Sequence, residues 1–321
     1  MFQEWLMHIL ILTDRVSNQA SLDSKDTRVQ VNQVKQALRS LGHEVAVAYF
    51  SMNLAITGRT IERSQCDLVF NLVENLSSAS LLCLPPLLCQ SLGVRCCGGS
   101  AHTLLLSAQK TEAKRLLVSA GLPTPRWVEE RNVFSQTWYL NTHLILKPTD
   151  QEASLGIDEF SVQLFSTQEE LSNALKGGSI FAEEYIEGRE FSVSLLPGGE
   201  VLPVAELCFI DYPAGRRKVA GYEAKWEVDS FAYQHTQRRF DLPKEDSALV
   251  AELKEKAVRT YQVFGSTGPA RVDVRVDGNN QLFILEMNSN PCLERESGYA
   301  AAALQAGISY EQLIERLALE A

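Results

Sequence analysis

Two short stretches towards the C-terminal end hold residue types that can manage charge. Arg271-Val272-Asp273-Val274-Arg275 reads as a strand, and Leu285-Glu286-Met287-Asn288-Ser289-Asn290-Pro291 follows the hairpin turn Asp277-Gly278-Asn279-Asn280. Side chains alternate faces along a strand, so Arg271, Asp273 and Arg275 project together, as do Glu286 and Asn288. Two carboxylates and an amide oxygen at neighbouring strand ends form a hard oxygen cage. It suits Mg²⁺, or Mn²⁺, bound to phosphates better than a thiolate metal. An exposed hairpin edge with ordinary charges fits the same spacing.

Three lysines extend the pattern. Lys110 opens a helix, Lys147 ends a strand before a polar loop, and Lys225 lies in Tyr222-Glu223-Ala224-Lys225-Trp226. Taken singly, each reads as a solvated surface residue. A site handling polyphosphate needs several cations together, so their value is collective. The segment from Glu183 to Phe191 alternates acidic and apolar residues where two blocks of chain meet. It could hydrogen-bond a base and ribose, and it reads equally well as a charged linker.

These residues need a scaffold, and the chain is long enough for two or three lobes at 321 residues. A hydrophobic share of 45% and a charged share of 22% are ordinary for a globular protein. Forty acidic residues against thirty basic ones give a net charge of −10, which argues against non-specific nucleic-acid coating. No apolar run approaches the roughly 18 residues of a membrane span. The longest, Leu81 to Leu92, is broken by Pro85 and Pro86. The run Leu6–Leu12 is too short for a signal segment and leads straight into Thr13-Asp14-Arg15. Seven cysteines, at 66, 83, 89, 96, 97, 208 and 292, form no C-x-x-C pair. Reduced thiols in a cytoplasmic protein are the simplest expectation, with disulfides or zinc as the alternatives.

The first hundred residues alternate strand and helix signals: strands at Met7–Thr13, Glu44–Phe50, Cys66–Leu72 and Val94–Cys97, helices at Val29–Leu41 and Leu81–Leu92. A mostly parallel βαβ sheet is the natural solution. Helices follow at Gln109–Ser119, at Thr167–Leu175 with Thr167 as N-cap, and at Ser247–Phe264. Strands are expected at Leu144–Pro148, Phe181–Tyr185, Phe191–Leu196 and Val201–Leu207, the last two forming a hairpin. The polar stretch Ile210–Pro243 reads as one long loop, of a length that is usually functional or disordered, and is expected to be mobile without nucleotide.

In order, Lys110, Lys147-Pro148, Glu183 to Glu190, Glu223-Ala224-Lys225, Arg271-x-Asp273 and Glu286-x-Asn288 resemble the ATP-grasp ligases, and most of all the D-alanine–D-alanine ligase group. The likeness runs from Lys110 to Leu317 and takes in the tail Gln305-Ala306-Gly307-Ile308-Ser309-Tyr310-Glu311-Gln312-Leu313. It implies an α/β ATP-grasp fold of three lobes. These are an N-terminal parallel α/β domain over 1–106, a central subdomain over 107–186, and a C-terminal subdomain over 187–321 carrying the metal site and mobile loop. ATP would lie between two antiparallel sheets. It further implies an enzyme that joins a carboxylate to an amine through an acylphosphate, with small-molecule substrates, no nucleic-acid or membrane partner, and a homodimer left open.

The resemblance also assigns roles. Lys110 and Lys147 match lysines on the ATP phosphates, and Lys225 matches the phosphate-binding lysine of the mobile loop. Glu183 matches the acid at the adenine amine, Ile186 falls at the hinge backbone beside the base, and Glu190 matches the ribose carboxylate. Asp273, Glu286 and Asn288 match a two-magnesium cage. Arg271 matches the arginine that stabilises the tetrahedral intermediate, and Ser297 the position binding the acceptor carboxylate.

Departures from the family pattern fall in the other half of the site. The family's glutamate after the first strand, which holds the first alanine's ammonium, has no counterpart in Leu12-Thr13-Asp14-Arg15-Val16-Ser17. The serine and tyrosine working with it align with Ala153, beside Ser154, and with Trp226. A small glycine near the acyl centre aligns with Cys292, a pocket-lining thiol rather than a nucleophile. The nucleotide half is thus kept while the first-amino-acid half is altered, which implies another acyl substrate. The rival readings are a D-alanine–D-alanine ligase proper, with Asp14 or Glu74 holding the ammonium, and a non-catalytic nucleotide-binding protein.

Overall fold

The computed structural model describes residues 6–15, 22–151 and 156–321, without the side chains of 22–26. Val16, Ser17, Ala153 and the substrate candidate Ser154 lie outside the described residues. The first lobe runs β1 (His8–Thr13), α1 (Leu22–Ser40), β2 (Glu44–Tyr49), α2 (Leu54–Ser64), β3 (Leu68–Leu72), α3 (Leu84–Leu92) and β4 (Arg95–Cys97). Its four strands are all parallel, in the order β2-β1-β3-β4. Ile9 and Ile11 of β1 bury against α1, while Leu10 and Leu12 join Ile61 of α2 and Cys89 of α3 on the other side. That is why β1 is an unbroken apolar run: parallel strands are covered on both faces. Helix α3 starts at Leu84, not Leu81, because Pro85 and Pro86 are tolerated only in a first turn. Residues Ala79–Cys83 form a 3-10 turn before it.

Helices α4 (Ala101–Ala108) and α5 (Lys110–Ser119) lead to a second sheet of β5 (Trp127–Val128), β6 (His143–Pro148), β7 (Val162–Leu164) and β8 (Ile180–Glu184), with α6 (Gln168–Ala174) between β7 and β8. The order is β5-β8-β6-β7, antiparallel throughout. Thr167 caps α6 as the sequence predicts, and the Glu170 side chain closes the reciprocal bond. Leu144 and Ala182 point into this lobe's core. Strict alternation therefore sends Ile145, Lys147, Phe181 and Glu183 to the opposite face.

A third sheet follows: β9 (Gly188–Leu195), β10 (Ala205–Phe209), α7 (Tyr222–Trp226), α8 (Phe231–Gln234), β11 (Thr236–Arg239), α9 (Ser247–Val263), β12 (Ala270–Asp277) and β13 (Leu282–Asn288). Its antiparallel order is β11-β10-β9-β12-β13. The expected loop over Ile210–Pro243 is therefore not structureless. It holds two short helices and an edge strand, β11, that pairs with β10. Its polar sequence hid them because an edge strand and helices of one turn bury little apolar surface.

The β12–β13 hairpin has an irregularity that decides which side chains share a face. Asp273 pairs with Glu286, but Val274 pairs with Ile284, which leaves Leu285 as an extra residue. Without that bulge, Glu286 and Asn288 would share a face with the core residues Leu282 and Ile284. With it, Leu282, Ile284 and Met287 all reach the core beside α9, and Glu286 and Asn288 stand opposite Asp273 and Arg271 on the other side.

The last two helices, α10 (Gly298–Gln305) and α11 (Tyr310–Leu319), return to the first sheet. Tyr299, Leu313, Ile314 and Leu317 bury with Ile9, Val34 and Phe70. The C-terminal segment thus anchors the third sheet to the first lobe. Among the described residues no helix is long and apolar enough to cross a membrane, and all seven cysteines are free thiols.

Candidate active site

On the second sheet, Glu183 is the centre of a buried charge cluster. Its two carboxylate oxygens meet Lys147 Nζ at 2.5 Å and Lys114 Nζ at 2.7 Å, and only 2% of its side chain is exposed. Burial acts to raise the Glu183 carboxyl, but the two lysines outweigh it and hold the group below the ordinary range. Lys114 also donates to Thr124 Oγ1 at 2.6 Å and lies over the Trp127 ring at 5.5 Å. Each carboxylate oxygen has two lone pairs, so Glu183 retains capacity for a further donor.

On the third sheet, Asp273 accepts four side-chain hydrogen bonds. Arg271 Nε and Nη2 donate to it at 2.9 and 2.8 Å, Ser192 Oγ at 2.7 Å and Asn288 Nδ2 at 3.0 Å. Glu286, opposite Asp273, lies 3.8 Å from Lys110 Nζ. Burial would raise its carboxyl, yet Lys110, Lys147, Lys225 and Arg271 together bring it down to about 2. Charges from both sheets and from α5 therefore converge on Glu286. Lys110 also donates to the Gln151 carbonyl at 2.7 Å, tying the polar loop to the same place. Lys225 keeps solvent access, but protein packed around its ammonium lowers its pKa, as does Arg271. Glu286, Asp273 and Glu190 act the other way.

The crossing between the sheets is held by Arg275. It pairs with Glu190 at 2.7 Å, donates to the Ile186 carbonyl at 3.3 Å and also bonds the Lys218 carbonyl. Segment 211–227 is docked onto the second lobe. Tyr222 N donates to the Ile157 carbonyl at 3.0 Å, and Gly221 approaches so closely that a Cβ there would sit 2.2 Å from that oxygen. Arg216 binds Glu159 at 3.2 Å and Glu223 at 3.4 Å, and lies 4.5 Å over the Phe231 ring.

The structure therefore gathers Lys110, Lys147, Glu183, Lys225, Arg271, Asp273, Glu286 and Asn288 into one charged cluster, with Glu190 and Ile186 joined to each other through Arg275 beside it. Cys292 Sγ accepts from Glu294 N at 3.5 Å; burial works against the charge on Arg271, and Asp273, then Glu286 and, least of all, Cys292 outweigh it and raise its pKa. Ser297 caps α10, its Oγ accepting from Ala300 N at 3.2 Å, and a hydroxyl in that role still carries a proton it can donate. Trp226 sits on α7 with its ring 6.5 Å from Tyr222. Of the rival ammonium holders, Asp14 accepts from Glu74 N and Asn75 N, each at 2.8 Å, and Glu74 accepts from Gln30 Nε2 at 2.8 Å.

Sequence reasoning did not single out Lys114, Ser192 or Arg275 for a role. Lys114 lies four residues after Lys110 on one helix, a spacing that put it on the same face. Among the described residues no group of three or more His, Cys, Asp or Glu gathers as a metal site. The donor set is two carboxylates and an amide, with hard oxygens on one face. That fits a cation which takes its remaining ligands from phosphate and water, provided Arg271 releases part of Asp273.

Two antiparallel sheets enclosing a lysine-lined, carboxylate-floored cleft define an ATP-grasp fold, and comparison with known proteins agrees. The family described as "D-ala D-ala ligase C-terminus" matches residues 117–319. A D-alanine–D-alanine ligase of Gloeobacter violaceus is 30% identical over 94% of this chain and 98% of its own length. One from Thermotoga petrophila is 29% identical over 96% and 95%. The solved D-alanine–D-alanine ligase of Bacillus anthracis complexed with ATP superposes with a TM-score of 0.71 at 18% identity, covering 97% of this chain and 96% of that one. The chain belongs to the D-alanine–D-alanine ligase family of ATP-grasp carbon–nitrogen ligases.

Proposed function

We propose that this enzyme uses ATP to join a small carboxylic acid to an amine, and that its acyl substrate differs from D-alanine. The observation that carries the ligase reading is the convergence of Lys110, Lys147, Lys225 and Arg271 on Glu286 and Asp273. Such a site can bind a polyphosphate and spread the charge of a transferring phosphoryl group. The substrate carboxylate oxygen attacks the terminal phosphorus of ATP, the bond to ADP breaks, and an acylphosphate forms. The neutral amine then attacks the acyl carbon, phosphate leaves, and the amine's extra proton goes to solvent.

Lys110, Lys147 and Lys225 would hold the phosphates, with Glu183, Ile186 and Glu190 at the base and ribose. Asp273, Glu286 and Asn288 would hold Mg²⁺, or Mn²⁺, which supplies charge neutralisation between the phosphates when bound. Arg271, freed from Asp273 by that cation, would stabilise the oxyanion of the tetrahedral intermediate. The altered acyl half supports the substrate reading: Trp226 and Cys292 stand where the family has tyrosine and glycine, and no glutamate follows β1. A second reading, a D-alanine–D-alanine ligase proper, is favoured by the 30% identity to a protein of that name over 94% of the chain.

Incubation with Mg·ATP and mixed carboxylic acids and amino acids, read by mass spectrometry, tests both. An amide product with stoichiometric ADP supports a ligase, and its mass names the acyl group. ADP without amide, or neither product with any pair, overturns the ligase reading.

A further inference from the structure

We infer that Arg238 selects an acceptor amine carrying a second anionic group, such as a side-chain carboxylate. The inference rests on the ligase reading above and names the acceptor class.

Register places this arginine. Arg238 on β11 stands opposite Leu207 of β10, Leu207 opposite Glu190 of β9, and Glu190 opposite Arg275 of β12. Residues directly opposite share a face of the sheet, so Arg238 lies on the cleft side with Glu190, Asp273 and Glu286. Its neighbour Arg239 faces the other way and binds Glu206 at 2.7 Å. The two consecutive arginines thus have different partners, and only Arg239 has a carboxylate.

Arg238 reaches the segment that the resemblance assigns to the acceptor. Nη1 donates to the Glu296 carbonyl at 3.3 Å, and a Cβ built on Gly298 would lie 3.4 Å from Nε and Nη2. That carbonyl uses one of five guanidinium donors. Among the described residues Arg238 makes no ion pair, although desolvation and the nearby Arg271 both weaken its hold on its proton, with Glu296 opposing. Arg238 is solvent-exposed on this edge strand, so an incoming anion can reach its guanidinium directly. The resemblance places the acceptor's first carboxylate at Ser297, so Arg238 would be surplus to it. Its planar fork suits a second carboxylate held through two bonds.

Calorimetric titration of the full chain with Mg·ADP present tests this without needing turnover. The probes are aspartate and glutamate against alanine, each in both enantiomers. The acidic amino acid should bind at least about tenfold tighter than alanine of the same hand, as a charge-assisted pair implies. Arg238→Gln, checked for an unchanged circular dichroism spectrum, should bring the ratio to about two, and Arg238→Lys should fall between. In turnover, Arg238→Gln should raise KM for the acidic acceptor with little change in kcat. Equal binding of acidic and neutral amino acids, no binding of either, or a ratio unmoved in Arg238→Gln overturns the inference. Failure of the ligase reading is seen separately, as no ADP release with any acid and amine pair.

Discussion

Lys114 and Glu183 form an ion pair of 2.7 Å in which 2% of either side chain is exposed. The pair joins α5 to the second sheet, and Lys147 is its third member. Removing one partner from a buried pair leaves a charge without its compensation. Lys114→Met should therefore cost about 2–4 kcal/mol, less than the full penalty because Lys147 stays on Glu183. Urea unfolding measures it. The double variant with Glu183→Gln should lose less than the sum of the single losses, and strict additivity would count against the coupling.

Acid sensitivity has a source away from the cleft. Glu206 lies between Arg189 at 2.7 Å and Arg239 at 2.7 Å; burial pushes its carboxyl up, but the arginines outweigh this and hold it below the usual value. A carboxyl depressed in the fold stabilises the protein above its unfolded pKa of about 4.3, and this contribution fades as pH falls through the lower folded value. The melting temperature of Glu206→Gln should lie below that of the wild type at pH 7. The gap should close as pH falls below about 4. A gap that stays constant down to pH 3 would exclude this origin.

The hairpin of β12 and β13 and the capping of α6 were legible because both follow from local rules: turn residues, alternation and a Thr-to-Glu spacing. The parallel first sheet was legible from its unbroken apolar runs. The bulge at Leu285 was not. Ile284, Leu285, Glu286 and Met287 carry no local mark of an extra residue, and only the need to bury both Ile284 and Met287 produces it. Lys114 was missed for a related reason. A lysine at i+4 on a helix reads as solvated until β8 brings Glu183 against it, and that contact spans almost seventy positions of sequence. The elements inside 210–243 were hidden by composition, since they hold on through charges and rings rather than a core.

Glu286→Gln should leave the circular dichroism spectrum intact and abolish ADP release. The substitution keeps the shape opposite Asp273 but removes the charge on which four cations converge. Normal turnover in that variant would remove the metal assignment.

Arg216 ties segment 211–227 to the second lobe through Glu159, pairs within the segment with Glu223, and lies over Phe231. Arg216→Ala should speed limited proteolysis between Ile210 and Pro243 when no nucleotide is present. Mg·ATP should slow cleavage in the wild type, as a closing lid would. Cleavage at one rate in all four conditions would show that this segment does not act as a lid.

D-alanine paired with D-alanine should be a poor substrate pair. A first D-alanine brings an ammonium into a closed site, where it must meet an acceptor or cost several kcal/mol. The turn after β1 offers Asp14 rather than the family's glutamate. Asp14 spends one oxygen on Glu74 N, Asn75 N and the Asn75 amide, and burial raises its pKa, which weakens it as a counter-ion. Glu74 is engaged with Thr27 and Gln30. Trp226 has one donor and no acceptor, so it cannot take over the relay of a tyrosine hydroxyl. Lys110, Lys147 and Lys225 are themselves kept, so Mg·ATP should bind normally while D-alanine fails to stimulate phosphate release. Phosphate release with D-alanine at the rate of a working ligase, and saturating at ordinary amino-acid concentrations, would instead establish the D-alanine–D-alanine reading.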